Sequence, residues 1–151
     1  MNGTSFRFRL ERLRALRERK EDLARQELAR AIARLGDSRA RLSSFDSDLQ
    51  QARTEQREAY ECEVLSGDQL KAHQAFLERV EARRSAGVRE IEHEETRVAD
   101  RDAELGLAAR EHAMLERLRD RARAEYDRDR RREESNTLDE IATERFGRTA
   151  A

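Results

Sequence analysis

Residues 28–59, LARAIARLGDSRARLSSFDSDLQQARTEQREA, carry the pattern that decides the fold. Leu28, Leu35, Leu42 and Leu49 recur every seven residues, and Ala31, Ser38, Phe45, Ala52 and Ala59 form a second track three residues behind. Two such tracks are the a and d positions of a coiled coil, because a slightly underwound helix returns to the same face after seven residues. Further along, Leu70, Leu77, Arg84, Ile91, Val98, Leu105, His112, Arg119 and Tyr126 make a track of their own, with Val80, Gly87, Ala108, Leu115 and Ala122 among its companions. Between the halves lies Ser66-Gly67-Asp68, a turn-like cluster in which Ser66 or Asp68 suits a helix N-cap.

One break near the midpoint predicts an all-α protein, a single elongated domain made of one long two-helix antiparallel coiled-coil hairpin. Helix 1 is expected at about 6–62, the turn at about 63–68, helix 2 at about 68–134 and a tail at 135–151. Ser135-Asn136-Thr137 marks that last boundary, and Leu138, Ile141 and Phe146 suit one side of a short terminal helix beyond it. Upstream, Phe6, Leu10, Leu13 and Leu16 also share a helical face. Joining them to the main seam through Ala24 requires a register slip of about four residues, a stutter. Gly36, Gly87 and Gly106 fall inside the helices, each less favourable than Ala by about 1 kcal/mol. In the hairpin Gly87 comes close to Leu42, where its missing side chain either makes room for a knob or is simply tolerated.

Composition agrees. Charged residues are 43% of the 151 and aromatics 5%, with no Pro and no Trp. A globular domain carries about 25% charge, so this chain is rich in solvated helix surface, and no proline interrupts the backbone ladder. The net charge of −1 gives the whole molecule no bias toward nucleic acid or anionic lipid. A single cysteine, Cys62, cannot form an internal disulfide, which fits a reducing compartment. No apolar run approaches a membrane span and no signal-peptide core opens the chain, so a cytoplasmic protein without membrane insertion is expected.

The residues offer little chemistry. His73, His93 and His112 are about twenty residues apart, roughly 30 Å along a helix and too far to share a metal. Glu90 and His93 make one Glu-x-x-His pair, whereas a di-iron bundle needs two such pairs and further carboxylates. Cys62 has only Glu61 and Glu63 beside it, which disfavour a thiolate. There is no phosphate-binding glycine loop, and a single seam encloses no pocket. A non-enzyme without metal or cofactor is expected.

Charge is segregated along the chain. Phe6–Lys20 holds seven basic and two acidic residues, a net of +5, and Arg117–Arg132 holds eight arginines and four acids, a net of +4. A hairpin brings these stretches to the same open end. Phe45–Asp68, at the turn, holds seven acids and two arginines, a net of −5. The expectation is a rod with a basic open end and an acidic tip, suited to a different partner at each pole.

Two longer stretches are more specific. FRFRLERLRALRERKEDLARQELARA, residues 6–31, has an aromatic-x-aromatic-x-Leu opening, a Leu- and Arg-rich turn and an Ala/Glu stretch. LERLRDRARAEYDRDRRREESNTLDEIATERF, residues 115–146, has a Leu-x-x-Leu, a Tyr-containing basic stretch and Asp139-Glu140-Ile141-Ala142. In this order and at this length, they resemble FliJ, the coiled-coil component of the flagellar type III protein export apparatus. The resemblance covers essentially the whole chain.

It implies a cytoplasmic protein, peripherally associated with the membrane export apparatus, that binds the hexameric export ATPase as a stalk-like coiled coil. It further implies contact with the export gate membrane protein and with export chaperones. The basic pole, in the region most like the family, makes Arg9, Arg17, Arg121 and Arg128 the candidate ATPase contacts, with Phe6 and Phe8 next. The free protein is expected to be a monomer. A generic coiled-coil adaptor, or the equivalent stalk protein of an injectisome, is the alternative. A nucleic-acid binder is disfavoured, because the Arg-rich end has no dedicated basic region free of acids.

Overall fold

The computed structural model describes residues 5–61 and 66–149. They form two helices, α1 (Glu11–Glu61) and α2 (Gly67–Thr149), packed against each other as the expected hairpin. Ser66 is the N-cap of α2: its Oγ accepts from the Gln69 amide at 3.3 Å, and Gln69 Oε1 accepts from the Ser66 amide at 3.0 Å. This reciprocal capping box satisfies two amide donors at the helix start. Cys62 and Glu63, and with them most of the expected turn, lie outside the described residues.

Leu23–Leu105 is one compact unit. Its cross-helix ion pairs run Arg34–Glu94, Arg41–Glu90 and Arg53–Glu81, so partner numbers fall as α1 numbers rise, which is the antiparallel sense. The period-seven tracks point inward. Ala31, Leu35, Ser38, Leu49 and Ala52 of α1 and Leu77 and Val80 of α2 are buried, with Leu49, Ala52, Leu77 and Val80 in one cluster. Leu28, Leu42, Phe45, Ile91 and Val98 are half-buried. Arg84 departs from its track and lies exposed, paired with Asp46. Gly87 is buried beside Leu42, as expected, yet a Cβ there would meet Leu42 Cδ1 at 3.4 Å and Phe45 Cδ2 at 3.5 Å. Those are ordinary contacts, so the packing tolerates this glycine and does not require it.

Residues up to Asp22, together with Gly106 onward, make the second unit. Here the expected stutter is absent. Leu10, Arg14, Arg17 and Glu21 turn inward at spacings of four, three and four, continuing the heptads without a slip. Leu13 and Leu16 are 39% and 60% exposed instead. Charged side chains occupy the seam because each finds a partner across it, while the leucines lie one residue out of phase with the inward face. From α2, Ala108 and Leu115 are buried and His112, Arg119 and Tyr126 half-buried.

Both helix ends in this unit differ from expectation. Helix α1 starts at Glu11 rather than near Phe6, with the Glu11 amide bonded to the Phe8 carbonyl at 3.2 Å. At the other end α2 passes through Ser135-Asn136-Thr137 without a break and continues to Thr149. Polar composition alone does not stop a helix. No Gly or Pro stands between 128 and 146, and Thr137 Oγ1 donates to the Glu133 carbonyl at 2.9 Å inside the turn. All of residues 128–146 are exposed.

Candidate partner interface

The open end is assembled from the residues ahead of α1 and the facing part of α2. The Phe6 ring packs against Tyr126 with centroids 5.7 Å apart and planes tilted by 54°. The Arg123 guanidinium carbon lies 5.7 Å from the Phe6 ring centroid, a cation–π arrangement. Phe6, Arg7, Phe8, Arg9, Arg12, Arg119 and Arg123 line an open groove there, together with the acids Glu11 and Asp120. The groove thus combines aromatic surface with five guanidinium groups against two carboxylates.

Below it lies a ladder of ion pairs. Arg14, whose side chain is 16% exposed, reaches Glu11 at 2.7 Å on its own helix and Glu116 at 2.7 Å across the seam. Bonds to Glu11 first, then to Glu116, raise the Arg14 pKa. The same bonds from Arg14 lower Glu11 and Glu116. Arg17 and Lys20 both pair with Glu111, at 2.7 and 3.1 Å. The Lys20 bond is the leading cause that lowers Glu111. His112 Nδ1 lies 2.7 Å from Glu21 Oε2, and its buried Nε2 lies 3.3 Å from Glu116 Oε1, outside hydrogen-bond geometry. Ion pairs that keep access to water add little net stability, so this ladder fixes register more than it stabilises.

The candidates from sequence fall into distinct settings. Phe6 and Phe8 are half-buried in the groove wall. Arg9 and Arg121 are exposed. Arg128 is exposed and donates from Nε to the Ala124 carbonyl at 3.3 Å. Arg17 is half-buried and committed to Glu111. The groove brings Phe6, Phe8 and Arg9 together, whereas Arg121 and Arg128 are not among its lining residues.

Sequence reading missed Arg123, which completes the groove, and Arg14, which ties the two helices. Arg14 precedes Arg17 by three and Glu21 by seven, so the a/d spacing was visible. The charge at those positions hid it. Among the described residues no group of three His, Cys, Asp or Glu side chains converges as a metal site, and no helix is long and apolar enough to cross a membrane.

The protein-family model described as the flagellar FliJ protein matches residues 6–151. No curated protein and no solved structure matches the chain.

Proposed function

Because this chain belongs to the FliJ family, a non-enzymatic coiled-coil component of the flagellar export apparatus that links to its ATPase, we propose that its open end is the surface that engages the ATPase. The observation that carries this reading is the groove in which Phe6 and Phe8 stand beside Arg9, Arg12, Arg119 and Arg123. Aromatic anchors and arginines are the side chains that most often dominate a protein–protein contact. Carboxylates around a ring opening are drawn to such a surface, and the attraction speeds and orients docking more than it sets affinity. Arg121 and Arg128 extend the positive field along α2, and Arg17 supports it from within the seam.

In this reading the protein is a cytoplasmic monomer when free and associates peripherally with the membrane export apparatus. It connects the ATPase to the export gate membrane protein and also receives export chaperones. The test is binding of the purified export ATPase to the parent chain and to the triple variant Arg9→Glu, Arg121→Glu, Arg128→Glu. Helicity should be retained and ATPase binding weakened, with the parent's affinity falling as salt is raised. Arg17→Glu belongs in a separate variant, since it also places a carboxylate against Glu111. Undiminished binding by the triple variant, together with undiminished binding by Phe6→Ala, Phe8→Ala, assigns the contact elsewhere.

A further inference from the structure

In the unit that contains the open end, the outward-facing leucines of α1 and α2 fall on one side of the hairpin. Lys20 meets Glu111 across the seam. One heptad toward the open end, Leu13 takes the register position of Lys20 and Leu118 that of Glu111. The two are level with each other, and each is 39% exposed. Leu16 and Met114, 60% and 59% exposed, flank them on the outer side of each helix. An apolar strip therefore crosses both helices where charged residues are otherwise abundant.

Its outer edges are cationic. Arg12 and Arg19 border it on α1, Arg110 and Arg117 on α2, and all four are exposed. None of the four appears in an ion pair among the described residues, although most other cations nearby are matched. Apolar residues at c and g positions with free charge on either side form a seat for a third helix in a bundle.

We propose that this strip is the docking site of an acidic amphipathic helix from a partner protein, which packs along the hairpin as a third strand. The partner's apolar stripe covers Leu13, Leu16, Met114 and Leu118, and Asp or Glu on both sides of that stripe meet the four arginines. The charges choose the occupant. A second copy of this chain laid on the strip brings the same arginines against one another, and like charges across an interface oppose association. The site adjoins the open-end groove and shares Arg12 with it, but none of these leucines or Met114 lines that groove. The inference does not depend on ATPase binding there.

The probe is a labelled synthetic helix of Leu-bearing heptads with Glu at e and g, compared with a twin carrying Lys at those positions. Binding to the full chain is read by fluorescence anisotropy. The Glu peptide should bind at least about tenfold more tightly than the Lys twin and lose that advantage in high salt. Leu16→Ser with Met114→Ser should weaken Glu-peptide binding about tenfold while leaving helicity intact, because both side chains are already mostly exposed. Leu138→Ser with Ile141→Ser should change nothing. Equal affinity for the two peptides overturns the proposal, as does a Leu16/Met114 variant that binds like the parent. Loss of binding in the Leu138/Ile141 variant instead moves the site and overturns it as well. Concentration-dependent self-association that the Leu16/Met114 variant abolishes would give the strip to a second copy and overturn the proposal too.

Discussion

Glu21 of α1 and His112 of α2 meet at 2.7 Å in seam positions where a coiled coil ordinarily places leucine. The two side chains are 17% and 19% exposed, one polar layer beside those of Arg14 and Arg17 in this unit's seam. Paired polar groups held away from water often contribute less than apolar residues of similar size. The double variant Glu21→Leu, His112→Leu should therefore be more stable than the parent, by about 1–4 kcal/mol at most. His112→Leu alone leaves the Glu21 carboxylate without this partner and should gain less. Denaturant midpoints decide the matter, and a double variant less stable than the parent would show that the layer holds the seam together.

Acid should loosen the open-end unit before the apolar seam. Glu11, Glu111 and Glu116 have lowered pKa values, chiefly through bonds from Arg14, Lys20 and Arg14 respectively. A folded-state value below the unfolded one means the pairing stabilises fully above the ordinary carboxylate range. That stabilisation is lost as pH falls through the depressed values. Amide hydrogen exchange as a function of pH is the measurement. Protection at residues 11–21 should decline at a higher pH than protection around Leu49 and Ala52. A uniform decline along the chain would contradict it.

Leucines should separate by face. Leu35 is 8% exposed, and Leu35→Ala should be clearly destabilising, with about 2–5 kcal/mol as the ceiling for a fully buried site. Leu42, half-buried, should cost less. Leu16→Ala, at 60% exposure, should stay within about 0.5 kcal/mol of the parent. Thermal melts of the three would expose a wrong register at once, since a stutter that buried Leu16 makes it as sensitive as Leu35.

Gly87→Ala should stabilise. The added methyl finds ordinary contact distances to Leu42 and Phe45, and an interior glycine is about 1 kcal/mol less favourable than alanine in a helix. A lowered melting temperature would mean the seam closes more tightly around Gly87 than those distances indicate.

The hairpin was legible because leucine and alanine at period seven are hard to mistake, and because Ser66-Gly67-Asp68 is the one turn cluster between the two tracks. His112 and Arg119 were legible on the second track and are half-buried, but other charged seam residues escaped. Arg14, Arg17, Glu21 and Glu94 sit at seam spacing, yet a charged residue read alone looks like solvated surface. Glu94 is 7% exposed, with Oε1 bonded to Arg97 at 2.9 Å and Oε2 left without a hydrogen bond. Leu13 and Leu16 misled in the opposite direction, since apolar residues at helical spacing suggest burial. The Phe6–Arg123 contact joins residues far apart in sequence and becomes visible only once the antiparallel register is known. Ser135-Asn136-Thr137 looked like a boundary because polar clusters often are one, but nothing there removes a backbone donor or forces a positive φ.

The exposed run from 128 to 146 has a calorimetric consequence. Its side chains are all exposed, so little apolar burial couples it to the seam, and local pairs such as Arg130–Glu134 at 2.9 Å reinforce its helical hydrogen bonds. A solitary helical segment of this length unwinds gradually, because each residue added or lost changes the free energy by little. The buried seam, in contrast, melts as a cooperative block. Ellipticity on heating should then show a sloping loss before the main transition, and the van't Hoff enthalpy from a two-state fit should fall below the calorimetric one.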